Sequence, residues 1–128
     1  MATVAELLDI SLPDDAGEDS ISFLSTLTGF NNSLPIRTDI IYHSSKGVFV
    51  IRQGDWKLIV DCENSGDGGR GVNGNKGTGP DPSMKGQLYN LAEDPFELFN
   101  LIDRNKTREK ELRNILEQYK ERGRSASR

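Results

Sequence analysis

Few side chains in this sequence combine reactive chemistry with the spacing of a site. His43 is the single histidine and Cys62 the single cysteine. A histidine acting as general base or metal ligand needs partners, and the chain offers no second histidine or nearby cysteine. His43 therefore reads first as a packed or hydrogen-bonded structural residue. One cysteine excludes an internal disulfide and any multi-cysteine metal site. Asp14, Asp15, Glu18 and Asp19 carry carboxylates that could meet a divalent cation. They lack the fixed spacing of a calcium loop and read as a solvated acidic loop.

Gly69 and Gly74 have the spacing of a phosphate-binding loop, but Asn75 stands where its lysine must be. Gly68, Gly69, Gly71 and Asn73 resemble one turn of a calcium-binding nonapeptide repeat, and a single copy cannot stack. Asn31 with Ser33, and Asn105 with Thr107, match the glycosylation acceptor pattern, which has meaning only on a eukaryotic secretory route. Trp56, Tyr42, Arg52 and Lys57 are the residue types that hold a sulfated sugar, rings for stacking and cations for sulfate.

The element that must position these residues is the stretch 47–61, GVFVIRQGDWKLIVD. Two strand-forming runs fold back on Gly54 and Asp55, so that Gln53 faces Trp56, Ile51 faces Leu58 and Phe49 faces Val60. One face then collects Phe49, Ile51, Trp56, Leu58 and Val60 and must be covered. The other mixes Val48, Val50 and Ile59 with Arg52, Lys57 and Asp61, a face partly packed and partly wet. A lone hairpin is marginal in water, so neighbouring segments must add strands and a helix.

Residues 38–43 read as a strand with Ile40 and Tyr42 on one side and Asp39, Ile41 and His43 on the other. Residues 87–91 read as another. The clearest helix is 107–121, where Leu112, Ile115, Leu116 and Tyr119 fall on one stripe and Gly123 is the stop. It is the natural cover for the hairpin. Residues 2–10 read as a helix on Val4, Leu7 and Leu8, 20–28 as a short helix ended by Gly29, and 122–128 as a frayed tail. The stretch 65–82 holds seven of the thirteen glycines and reads as a mobile surface excursion. Phe96, Leu98, Phe99 and Leu101 need an apolar surface to lie on.

Composition bounds the function. The 128 residues suit one modest core, and a net charge of −4 with a pI near 5.0 argues against a nucleic-acid binder. Charge is segregated: residues 1–30 hold six acids and no Lys or Arg, whereas residues 106–128 hold eight basic residues and four acids. No apolar run approaches the roughly 20 residues of a membrane helix, and no signal peptide is read at the N-terminus. Thr3 has no preceding cap or linker, as though the chain were cut from something longer.

Taken in order, TVAELLDI, LPDDAGEDS, IIYHS, GVFVIRQGDWKLI, QLYNLAEDPFELFNL and a closing amphipathic helix resemble the C-terminal region of type I sulfatases, the arylsulfatase-like hydrolases. The likeness runs from about Thr3 to Tyr119. The excursion at 65–82 departs from any common pattern of that family.

The resemblance implies an α+β subdomain, a four-stranded antiparallel sheet with the C-terminal helix packed on one face. Its parts would be a helical and loop lead-in (1–37), the sheet with its excursion (38–91), and the helix and tail (92–128). It implies docking onto a larger N-terminal catalytic domain of the same chain, in a parent that is periplasmic or secreted and hydrolyses sulfate esters with calcium and a formylglycine. Those groups are expected in the parent and not in these residues. Ser33, Pro35 and Arg37 match the Ser-x-Pro-x-Arg core of the family's modification signature, but the core should be followed by Thr-Gly opening a helix, whereas Thr38 opens a strand. Cys62 is followed by Glu63, Asn64, Ser65 and Gly66, not x-Pro-x-Arg. No catalytic or metal-ligating residue is therefore assigned, and His43 is the one candidate substrate-lining residue, on a loop, to Lys46, that would reach the pocket rim. The rival classes are a free-standing glycan-binding module built on Trp56, Tyr42, Arg52 and Lys57, and a ligand-free protein-interaction domain.

Overall fold

The computed structural model describes residues 1–30, 35–45, 47–61 and 85–126. Ser33, Lys46, Cys62 and the excursion at 65–82 lie outside the described residues. The chain divides into two compact units, Asp39–Glu117 and Met1–Thr38 with Gln118–Arg128.

In the first unit, strands β1 (Asp39–His43), β2 (Phe49–Gln53), β3 (Trp56–Ile59) and β4 (Gln87–Asn90) form one antiparallel sheet in the order β1-β2-β3-β4. The hairpin register is the expected one, with Gln53 opposite Trp56 and Ile51 opposite Leu58. Its turn has positive φ at Gly54 (58°) and not at Asp55, the pattern of a two-residue loop with glycine first. The β1–β2 pairing sets Ile41 against Ile51 and His43 against Phe49, and the β3–β4 pairing sets Leu58 against Leu88.

Helix α3 (Lys106–Arg122) supplies the cover. Leu112 and Leu116 pack with Ile51, Leu58, Leu88 and Ile102 in one buried cluster, with Ile41, Trp56, Val60, Leu101 and Ile115 around it. Five of these side chains, Ile51, Leu58, Leu88, Leu112 and Leu116, are essentially without solvent contact. The opposite face carries a smaller cluster, Val48, Val50, Ile59 and Tyr89. There the buried Gln87 is satisfied by the Tyr89 hydroxyl, which donates to its Oε1 at 2.9 Å.

The start of α3 has a device that periodicity does not reveal. Asn105 Oδ1 accepts the backbone N–H of Arg108 at 3.1 Å, the geometry of an N-cap bonding the third helical residue. Asn105→Ala is expected to lower stability by about 1 kcal/mol, measured by urea denaturation. A loss below about 0.3 kcal/mol would show that water replaces the cap without cost. The helix ends at Arg122, one residue beyond the expected span, and Gly123, φ 67°, is the stop as expected.

In the second unit, α1 (Ala2–Leu7) is three residues shorter than the periodicity suggests. Asp9 adopts a left-handed φ of 53°, and its N–H bonds Glu6 O while Ile10 N–H bonds Ala5 O. This is a Schellman stop with aspartate in the position usually held by glycine, which is why the end was not legible. α2 is Leu24–Leu27. The tail, read as frayed, is tied down over 124–126. Arg124 pairs with Asp14 at 3.2 Å, Ser125 N–H bonds Asp19 Oδ1 at 2.9 Å, and Ala126 N–H bonds Glu18 O. The segregated charges of the two chain ends meet here. Among the described residues of this unit the buried apolar side chains are Ala5 and Ala126, while Val4, Leu7, Leu8, Ile10, Phe23, Leu27 and Phe30 are exposed.

Candidate functional site

His43 closes β1, an edge strand of the sheet. The following turn is held by Gly47 N–H to Ser44 O at 2.9 Å and by Val48 N–H to Ser44 Oγ at 3.2 Å. Gly47 has φ 82°, a conformation that favours glycine. His43 is exposed and packs edge-on against Phe49, ring centroids 6.3 Å apart. Its Nδ1 lies 3.0 Å from Ser44 O. A carbonyl can only accept, so in this contact Nδ1 donates, and Nε2 is the ring nitrogen left for a further hydrogen bond. Such a nitrogen can receive a hydroxyl or, once protonated, donate to an anion.

The four residues suited to a sulfated sugar do not converge. Strand alternation puts Trp56 on the helix side of the sheet and Tyr42, Arg52 and Lys57 on the other. Trp56 is half-buried against the main core, with the Arg108 guanidinium 6.0 Å from its ring centroid. Arg108 also donates to Gln53 Oε1 at 3.0 Å. Arg52 Nε donates to Gly54 O at 3.0 Å. Lys57 is held by both carboxylate oxygens of Glu97, at 2.7 and 2.9 Å.

Carboxylates are likewise engaged locally. Asp14 and Asp19 of the acidic loop bond the tail, and among the described residues no group of three or more His, Cys, Asp or Glu is gathered to hold a metal ion. These donors do not fit a calcium site. Arg37 of the partial modification signature donates to Ser125 Oγ at 2.8 Å. At the start of α3, Asp103 accepts a hydrogen bond from Lys106 and, with Glu109, raises the ammonium pKa above its usual value. That offsets a cation at the positive end of the helix dipole.

Two residues outside the candidate set are structurally prominent. Glu97 holds a left-handed φ of 57° while clamping Lys57. Arg113 donates to Lys85 O at 2.7 Å, to Glu109 Oε1 at 3.0 Å and to Val60 O at 3.4 Å. No residue between 60 and 85 in sequence signals that an arginine of α3 will join those two carbonyls.

No family model and no characterised protein sequence matches the chain. Among the described residues no helix is long and apolar enough to cross a membrane. Among solved structures the chain is similar to a sulfatase of Bacteroides thetaiotaomicron, described in connection with the metabolism of multiple glycosaminoglycans. The likeness has a TM-score of 0.70 and 29% identity and covers 93% of this chain. The chain spans 23% of the length of that protein, and so corresponds over nearly its whole extent to a minor part of a sulfatase.

Proposed function

We propose that this chain is the C-terminal structural subdomain of a sulfatase, docking onto a larger catalytic domain and inactive by itself. The observation that carries the reading is the similarity to a sulfatase over 93% of this chain but only 23% of the neighbour. The ordered motifs from TVAELLDI to the closing helix support the C-terminal placement. The exposed Val4, Leu7, Leu8, Ile10, Phe23, Leu27 and Phe30, with Ala5 and Ala126 the buried apolar side chains among the described residues of that unit, support docking. So little burial does not offset the entropy of ordering these residues, and an apolar partner surface supplies what is missing.

In this reading the formylglycine, calcium and basic catalytic residues belong to the larger domain, which would supply the nucleophile and offset charge on the sulfate. This chain contributes architecture and one substrate contact, His43 at the pocket rim, through its Nε2. The neighbour's setting makes sulfated glycosaminoglycans the first substrates to test.

The test is sulfate release from p-nitrophenyl sulfate and from sulfated glycosaminoglycan oligosaccharides, with calcium present. This chain is compared with one extended upstream through a modification signature and made alongside a formylglycine-generating enzyme. Release by the extended chain alone is the expected result, and release from neither substrate class by either chain would sink the proposal. In the active enzyme, His43→Ala is expected to lower kcat/KM about tenfold or more without altering thermal stability, since the ring is exposed. An unchanged kcat/KM would remove His43 from the pocket.

A further inference from the structure

The segment between β4 and α3 displays two aromatic rings on a well-held turn. Phe96 and Phe99 are 73% and 68% exposed, while Leu101 and Ile102, a few residues on, join the main core. Asp94 Oδ2 accepts Phe99 N–H at 2.8 Å and Asp94 O accepts Glu97 N–H at 3.2 Å. Glu97 is held in its left-handed conformation by the two-oxygen clamp on Lys57 of β3. A strained residue persists only where its surroundings over-determine it. Here the surroundings fix the turn and still leave both phenyl rings in solvent.

We infer that the turn 94–99 is a preformed anchor, which inserts Phe96 and Phe99 into an apolar pocket on the large domain of a longer sulfatase chain. This rests on the reading above. The occupant follows from the neighbour, of which this chain accounts for only 23%, so most of such a protein lies outside these residues and offers the covering surface. Covering both rings would remove on the order of 300 Å² of apolar surface from water. Exposed aromatics on a rigid support are the residues that carry interface affinity, because little side-chain or backbone freedom remains to be lost on docking. Lys57 acts as a positioning residue. It touches Glu97, not the partner, and sets the turn from which the rings project.

Hydrogen exchange tests this in the extended chain and in the 128-residue chain. The amides of Phe96, Leu98 and Phe99 are expected to exchange about tenfold or more slowly in the extended chain. The double substitution Phe96→Ser, Phe99→Ser removes that slowing and leaves the melting of the 128-residue chain unchanged. Glu97→Gln, which loosens the clamp, gives a partial loss. Equal exchange in the two chains overturns the anchor even if the extended chain releases sulfate. Slowing without sulfate release supports the anchor and removes the sulfatase reading. A dimer of the 128-residue chain, seen by sedimentation and abolished by the double substitution, overturns the proposed occupant in favour of a second copy.

Discussion

Gly86→Ala is expected to destabilise the sheet and helix unit by about 3 kcal/mol, although alanine adds a single carbon. Gly86 precedes β4 with φ 137°, a backbone conformation that side chains rarely adopt. A Cβ there would stand 2.6 Å from Ile59 O, 3.1 Å from Ile102 Cδ1 and 3.2 Å from Arg113 Nη2. The first of these is backbone and cannot rotate away. Relief requires β4 to move off β3 where Ile59 faces Gln87, or Gly86 to rotate and loosen the bond from Asn100 Nδ2 to its carbonyl. Either route disturbs the Arg113 contacts with Val60 O and Lys85 O. Gly54 is the internal control. Its φ is also positive, but a Cβ would meet nothing within 4 Å, so Gly54→Ala should cost only about 1 kcal/mol. Urea midpoints at constant slope report both. Equal losses at the two sites would mean that conformational strain, not the clash, decides the outcome.

Leu58→Ala should be comparably damaging, about 3 to 4 kcal/mol. Leu58 is fully buried on β3 among Ile51, Leu88, Ile102, Leu112 and Leu116. β3 is hydrogen-bonded to strands on both sides, so the cavity cannot close by a shift of an edge. Loss of transfer energy and the residual cavity then add. Leu58→Met keeps most of the volume and is expected to cost less than about 1.5 kcal/mol. A Leu58→Ala loss near that of Leu58→Met would show that α3 collapses onto the sheet. Against a total stability on the order of 5–15 kcal/mol, either alanine variant removes a large share.

Both effects come from contacts between segments distant in sequence, and this separates what the chain declares from what folding adds. The hairpin was legible because alternation and a Gly-Asp turn are local signals, and its register follows from the turn. The helix stripe of Leu112, Ile115 and Leu116 was legible for the same reason, as were the four strands and their cover. Helix ends were less so, because Asp9 and Asn105 stop and start helices through hydrogen bonds that many sequences could make or omit.

The candidate site was legible only in part. The sequence by itself determined which residue types were available, the side of a strand each would take, and the ordered motifs that resemble a sulfatase. Tertiary structure decided their partners. It set Trp56 under Arg108 and away from Tyr42, gave Lys57 to Glu97 forty residues on, and brought the acidic loop to the basic tail across 110 residues at Asp14 and Arg124. Periodicity follows from backbone geometry, which each residue carries locally. Pairing depends on which distant surfaces burial brings together, and no window of sequence contains both.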